Sequence, residues 1–372
     1  MSKKKPQSRK NKNFKDIFSI KNTLGCGSNG KVKLGINKQS GEKVSIKVIK
    51  KKKNEVALEI RKSLKKQIKI LKTINHSNLL RFKRCFQTKH KYYLVSEYIA
   101  GEELLGLLNT CIRFKNNFAR KIFIQLVNAI HHCHNLGIVH LDIKLENIIV
   151  NQNGNIQLID FDVATFTQKN RLLKTFCGSP LYQAPEIVSK QAYNGKKVDI
   201  WCLGVVLYTM LCGKHPFREG ERVLPKNLHF PSYLNFDVIS LIKKLLKLNP
   251  KKRITTEKIL EHKWINKASN EQKSNDNNSN NIFNENQNLM IKNELLDFQT
   301  KKITKRRNSL LLNNEKNFIQ KNENDLINID RCGNDNNSRN IKDNKYLDQS
   351  GIISQKNNVG VNKNENNAGI KN

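Results

Sequence analysis

Four polar residues in the stretch HLDIKLENIIVNQNGNIQLIDFD, His140 to Asp162, could share one piece of chemistry. Asp142 falls in a loop after a long helical pattern, where a carboxylate can orient an incoming hydroxyl and accept its proton. Lys144, two residues on, can neutralise charge on a group being transferred. Asn147 offers an oxygen ligand and Asp160 a carboxylate, the hard donors that Mg²⁺ selects. Between them, IIVNQNGNIQLI reads as a hairpin with a tight turn at Asn153-Gly154. Such a hairpin would return the two metal ligands to one place.

Two upstream segments fit the same chemistry. Gly25-Cys26-Gly27-Ser28-Asn29-Gly30-Lys31-Val32 is a GxGxxGxV loop between strand-like runs. Its glycines let backbone N–H groups approach phosphate oxygens with no Cβ in the way. A dinucleotide-binding fold would need a helix after the loop, and KVKLGIN is strand-like instead. Val44-Ser45-Ile46-Lys47 puts a lysine on the next strand, able to reach phosphates as a point charge. Taken singly, a glycine hairpin and a surface lysine are the simpler readings in so Lys-rich a chain. The ordered set from Asp142 to Asp160 outweighs them.

The elements that must position these residues come in two textures. From Phe18 to Glu97, strand-like runs (FSIKNTLG, KVKLGIN, KVSIKVIK, YYLVSEY) surround one helical pattern, VALEIRKSLKKQIKILKTI. From Leu104 to Ile265, long helical patterns dominate: NNFARKIFIQLVNAIHHCHNLG, VDIWCLGVVLYTMLCG and NFDVISLIKKLLKLN. A small β-rich lobe before a larger α-rich lobe is implied, with a hinge near Glu97 to Gly101. Residues 1–13 read as a disordered basic arm and 14–266 as the folded domain. Residues 267–372, rich in Asn and Lys, bury too little apolar surface to offset chain entropy and read as a disordered tail, except for one helical stretch around Ile291 to Phe298.

Composition narrows the classes further. The chain has 372 residues, a formal net charge of +37 and 37% hydrophobic residues. The basic residues are spread along the chain and not interleaved with aromatics, so nucleic acid is disfavoured as the primary ligand. The eight cysteines form no CxxC pair, which argues against a disulfide framework or zinc site and for a reducing compartment, cytoplasmic or nuclear. MSKKKPQSRKNKN has no apolar core and Ser at position 2, so neither a secretory nor a myristoylation signal is read. IWCLGVVLYTMLCG, Ile200 to Gly213, is too short to span a bilayer and reads as a buried core helix. His131, His132 and His134 read as helix-end residues rather than a metal cluster, since no carboxylate partners accompany them.

With these residues in view, the sequence resembles a eukaryotic-type protein kinase over roughly Phe18 to Ile265. The resemblance rests on Gly25, Gly27, Gly30, Lys47, Asp142, Lys144, Asn147, Asp160, Ala184-Pro185-Glu186, Asp199, Trp201, Gly204 and Arg253. Lys144 and Ser179 are similar to the serine/threonine class. LKTFCGSPLYQAPE and KKLLKLNPKKRITTEKILEHKWI resemble the calmodulin-dependent and AMP-activated kinase group. The resemblance implies an α+β, two-lobed kinase fold that takes ATP and Mg²⁺ and acts on protein substrates. It implies Asp142 and Lys144 as catalytic residues and Asn147 and Asp160 as metal ligands. Leu24, Gly25, Gly27, Gly30, Val32, Lys47, Glu97, Ile99 and Glu103 would line the nucleotide site. Ser96 would stand at the gatekeeper position, Glu186 would pair with Arg253, and Thr175 would be the activation-loop site of an upstream kinase. A monomer is expected.

Three positions depart from the family. The helix carboxylate that holds the strand lysine is replaced by Gln67, and Glu59 lies two turns away. A Gln67 carbonyl accepting from Lys47 would forfeit charge assistance, on the order of 1–2 kcal/mol or about tenfold in rate. On that reading Gln67→Glu speeds the enzyme. Leu141 replaces the Arg that reads the phosphorylated activation loop, so phosphorylation of Thr175 should matter less, or should be read by Arg61, Lys62 or Lys174. Asp162 replaces a Gly, and its carboxylate falls near the metal site. Every residue with a chemical role is retained, so an active, slowed kinase is expected. The rival is a pseudokinase that binds nucleotide or partners without catalysis.

In the tail, Lys305-Arg306-Arg307-Asn308-Ser309-Leu310 has the form of a basophilic phosphorylation site at Ser309. Nearby, Ile291, Leu295 and Phe298 share one helical face that could dock on the domain or bind a partner.

Overall fold

A computed structural model describes residues 13–27, 30–52, 55–168, 171–217, 228–270, 292–298 and 300–304. The first lobe holds α1 (Phe14–Ile17), β1 (Phe18–Gly27), β2 (Gly30–Asn37), β3 (Lys43–Lys50), α2 (Glu55–Thr73), β4 (Phe82–Gln87) and β5 (Lys91–Glu97). Its five strands form one sheet in the order β1-β2-β3-β5-β4, with every paired neighbour antiparallel. One sheet face carries Val44, Ile46, Tyr93 and Val95, which cluster with Phe18 of β1 and with Phe14 of α1. The Phe14 ring stacks on Tyr93 with centroids 4.0 Å apart.

α2 covers the site end of this lobe. Leu64, Gln67, Ile70 and Leu71 are all buried and recur at three- and four-residue spacing on one face. Gln67 is the polar member of that stripe, which aims it inward.

The second lobe begins with β6 (Gly101–Glu103), α3 (Leu104–Leu108) and α4 (Asn116–Asn135). β7 (Ile138–Val139), β8 (Ile148–Asn151), β9 (Ile156–Leu158) and β10 (Thr165–Phe166) carry the functional loops. α5 (Pro185–Val188), α6 (Gly195–Cys212), α7 (Phe236–Leu245), α8 (Thr256–Leu260) and α9 (Lys263–Asn270) complete it. β7 pairs with β10, and β6, β8 and β9 form a small separate sheet. The lobes follow the textures of the sequence, and Ile200–Leu211 is buried throughout, within α6, as a core helix. Asn194 caps the start of α6, accepting from the N–H of Lys196, and Gly213 ends it at φ 70°, an angle glycine adopts without strain. Among the described residues, no helix is long and apolar enough to cross a membrane.

Arg253 fixes the base of this lobe. Its guanidinium grips Glu186 bidentately, both contacts 2.6 Å, with the Arg side chain fully buried. The pairing implied by the resemblance is present, and Arg253 also lies 4.9 Å over the Trp201 ring.

Part of the stretch assigned to a disordered tail is folded: residues 292–298 and 300–304 are helical. The apolar face read at Leu295 and Phe298 is helical and docks on the second lobe, although the composition of the stretch is that of a tail. Phe298 sits 5.5 Å from Phe114 and 5.7 Å from Phe118, and Leu295 is buried beside it. Glu294 pairs with Lys115 at 3.2 Å, and Lys302 pairs with Glu102. Ile291 and Ser309 lie outside the described residues.

Candidate active site

The loop between β7 and β8 carries three of the four residues singled out first, Asp142, Lys144 and Asn147; Asp160 follows β9. Buried Asp199, on α6, accepts N–H bonds from His140 at 3.0 Å and Leu141 at 2.8 Å, which fixes the loop from below. His134 binds the same carboxylate at 2.9 Å, and His131 bonds Thr256 at 3.0 Å, so these rings have separate structural partners. Leu141 sits at φ 66°, a costly angle for a bulky residue, held by that bond. Its side chain is buried and lines a small cavity with Cys177, Tyr182 and Ile187, so it presents nothing to a phosphate.

Asp142 is enclosed by donors. Its Oδ1 accepts from Ser179 N–H at 3.1 Å and Ser179 Oγ–H at 3.0 Å. Its Oδ2 takes Lys144 Nζ at 2.9 Å and Asn147 Nδ2 at 3.1 Å. Lys144 also donates to Ser179 Oγ at 2.7 Å. Burial alone would push the Asp142 carboxyl up, but Lys144 and Ser179 outweigh it and hold it below the ordinary aspartate value. Asp142 is therefore an ionised acceptor at neutral pH. Sequence reasoning used Ser179 only as a mark of class; its hydroxyl in fact ties Asp142 to Lys144.

The hairpin brings the two proposed metal ligands together. Ile148 pairs with Leu158, and Ile159 N–H donates to the Asn147 carbonyl at 2.9 Å. Asn147 commits its amide nitrogen to Asp142, leaving Oδ1 as the oxygen a cation would take. Asp160 stands at φ 61°, an angle Asp tolerates better than most residues.

Lys47 is held differently from the expectation. Its ammonium lies 2.9 Å from Asp160 Oδ1 and 2.5 Å from Asp162 Oδ1. Gln67 makes no carbonyl contact with it; instead Gln67 Nε2 donates to Asp162 Oδ1 at 2.6 Å. The expected Gln67-to-Lys47 bond is thus corrected: the second carboxylate on Lys47 comes from the segment after β9. Burial works against the Lys47 charge, but Asp160 and Asp162 overcome it and raise its pKa. Burial likewise opposes ionisation of Asp160, where Lys47 wins and the carboxyl is held low. At Asp162 burial, reinforced by the Asp160 charge, wins and the carboxyl is pushed up.

The glycine loop closes over this cluster. A Cβ built on Gly27 would lie 3.9 Å from Lys47 Nζ, and one on Gly30 would lie 2.3 Å from the Val48 carbonyl oxygen. Leu24, Gly25, Gly27, Gly30 and Val32 belong to the β1–β2 hairpin; Ser28 and Asn29 at its tip are outside the described residues. At the hinge, Ser96 is buried, and Ser45 Oγ donates to the Glu97 carbonyl at 3.0 Å, a contact the sequence did not suggest. The Glu97 carboxylate faces away, accepting from Gln157 at 2.8 Å. Ile99 and Glu103 flank the hinge, Glu103 at the start of α3. Thr175 is exposed, and its carbonyl accepts from Tyr193 Oη at 2.5 Å. A cavity of about 750 Å³, lined by Glu97 and Ile99 of the hinge, opens against α4 and the β8–β9 hairpin and contains none of Lys47, Asp142 or Asp160.

The donor set is hard oxygen (Asp160, Asn147) facing a glycine cradle and a half-buried lysine, which fits Mg²⁺ bound with a nucleotide phosphate. Two lobes, this loop and this lysine define a phosphotransferase fold of one family. The chain belongs to the protein kinases: the protein kinase domain matches residues 18–265.

It is similar to NUAK family SNF1-like kinase 1 of Mus musculus, 38% identical over 259 residues, which cover 68% of this chain and 39% of that protein. It is also similar to the probable serine/threonine-protein kinase MARK-A of Dictyostelium discoideum, 36% identical over 67% of this chain and 24% of that protein. CBL-interacting protein kinase 5 of Oryza sativa subsp. japonica is 36% identical over 68% of this chain and 56% of that protein. The chain thus spans between about a quarter and somewhat over half of these relatives' lengths. They belong to the calmodulin-dependent and AMP-activated kinase-like group that LKTFCGSPLYQAPE resembles.

Proposed function

We propose that the protein is a serine/threonine protein kinase that transfers the ATP γ-phosphoryl group to protein hydroxyls. The observation that carries this is the closed network of Asp142, Ser179, Lys144 and Asn147. It leaves an ionised carboxylate, braced on both oxygens, beside a lysine at the place where a hydroxyl must be received. Asp142 orients the incoming hydroxyl and takes its proton. Lys144 stabilises the charge on the phosphoryl group in flight. Lys47 holds the α and β phosphates under the glycine loop, and Asn147 and Asp160 hold the metal. Mg²⁺, when bound, neutralises the phosphate charge. Leu24 and Val32 flank the adenine, which meets the hinge at Glu97 to Ile99, with Glu103 at the ribose.

The domain is read as residues 14–266. Thr175 is read as the site of an upstream kinase. With Leu141 buried and apolar, its phosphorylation changes activity only modestly. A cytoplasmic setting is supported by cysteines that are all free among the described residues. The rival reading, a scaffold without catalysis, draws on Gln67, Leu141 and Asp162. It is disfavoured because all four residues with a chemical role are retained and stand in two bonded pairs, Lys47 with Asp160 and Asn147 with Asp142.

The test is transfer from radiolabelled ATP with Mg²⁺ to a generic basic Ser/Thr protein, with Asp142→Asn alongside. Labelling lost in Asp142→Asn supports the reading. Wild type no better than Asp142→Asn, with Mn²⁺ also tried, overturns it in favour of the scaffold.

A further inference from the structure

Lys47 has a second carboxylate partner, but not from the helix that faces it. The inward position of α2 is Gln67, whose side chain is almost fully buried. A neutral amide there contributes no charge. The charge arrives instead on Asp162, two residues beyond Asp160, whose Oδ1 lies 2.5 Å from Lys47 Nζ. The same oxygen accepts from Gln67 Nε2 at 2.6 Å. So two departures that read separately in the sequence meet at one atom. Glutamine there donates, and an ionised glutamate in its place could not.

We infer that Asp162 is the positioning residue for Lys47, taking over the role of a helix-borne carboxylate, and that Gln67 serves as its clamp. The charge count supports this. One ammonium faces two carboxylates, Asp160 and Asp162. Gln67→Glu would crowd a third carboxylate into a buried cluster, and like charges at that range destabilise one another. Asp162→Gly would leave Lys47 with Asp160 alone, free to collapse onto the proposed metal ligand. Making both changes restores one ammonium and two carboxylates, with the charge returned to α2. The arrangement also ties α2 to the segment after β9, so the helix is drawn inward by Asp162 and not directly by Lys47. This inference rests on the kinase reading, in which Lys47 holds phosphates.

The experiment is a double-mutant cycle of wild type, Gln67→Glu, Asp162→Gly and the double variant. Each is assayed for kcat and for KM of ATP, with Asp142→Asn as the blank. Loss of a charge-assisted contact predicts that each single change lowers kcat/KM by about tenfold. The double variant should recover most of that loss, which a merely structural role for either residue would not produce. Losses that simply multiply in the double variant overturn the inference. So does a Gln67→Glu enzyme faster than wild type, or an Asp162→Gly enzyme that is unaffected. If wild type matches the Asp142→Asn blank, the kinase reading has failed, and the cycle is read in affinity for a fluorescent ATP analogue with Mg²⁺. Recovery of affinity in the double variant then supports the inference. Multiplying losses, or no binding by wild type, overturn it.

Discussion

Ser179 Oγ lies 3.0 Å from Asp142 Oδ1 and 2.7 Å from Lys144 Nζ, so one hydroxyl from the segment before α5 bridges the proposed base and the proposed phosphoryl-stabilising lysine. The segment that would receive a peptide substrate is thereby fastened to the groups that would act on it. Ser179→Ala removes the bridge but leaves the backbone N–H on Asp142. It should lower kcat by about tenfold, the worth of one charge-assisted bond, with KM for ATP little changed. Ser179→Thr, which keeps the hydroxyl, should retain most activity. Steady-state kinetics of the two variants check this.

Asp142 carries a pH signature. Its carboxyl is held below the ordinary aspartate value in the fold, because Lys144 and Ser179 outweigh the cost of burial. A depressed carboxylate contributes stability above its unfolded pKa of roughly 3.9 and loses it as pH falls through the folded value. Wild type should therefore melt above Asp142→Asn at pH 7, and the gap should narrow as pH drops below about 4. Thermal unfolding of both proteins across that range is the measurement.

The buried Arg253–Glu186 pair predicts a large structural effect. Removing one partner strands the other charge inside the lobe, a cost of about 3–5 kcal/mol. Arg253→Ala should lower the unfolding free energy by that much, shift the denaturation midpoint down accordingly, and cut soluble yield. Glu186→Gln, which keeps one acceptor for the guanidinium, should cost less. Chemical denaturation followed by tryptophan fluorescence suits this, since Trp201 lies against Arg253.

The helical residues 292–298 and 300–304 are held by Phe298 and Leu295 on Phe114 and Phe118. Phe298→Ala should release them locally and leave the rest of the second lobe intact. Amide exchange over 292–304 should accelerate strongly while exchange in α4 and α6 stays slow. Equal acceleration in all three would mean the helix is part of the global unfolding unit.

Thiol reactivity should follow burial. Cys133 is fully buried and its pKa is pushed up to about 12 by desolvation, whereas Cys26 is exposed on the glycine loop. Since the thiolate is the reactive form, alkylation at pH 8 should mark Cys26 well before Cys133. Peptide mapping of partially alkylated protein reads the order. Protection of Cys26 by ATP would additionally place the nucleotide under that loop.

The types of the candidate site residues were legible in the sequence by itself. Asp142, Lys144, Asn147 and Asp160 lie within 20 positions of one another, and a hairpin over Ile148 to Leu158 is enough to juxtapose them. The two-lobed α+β order was also legible, because strand and helix periods fall in separate halves of the domain. Only the tertiary structure decided who partners whom across the cleft. Gln67 and Asp162 stand 95 positions apart, and Lys47 and Asp160 stand 113 apart. No local period encodes such a meeting, so a carboxylate moved from α2 to the segment after β9 looked like two losses instead of one relocation. The same holds for residues 292–298 and 300–304: the helical spacing of Leu295 and Phe298 was legible, but not that Phe114 and Phe118 would receive them. Chemistry that depends on residue type and short spacing is written along the chain. Chemistry that depends on which distant side chains share one buried charge exists only once the chain has closed around it.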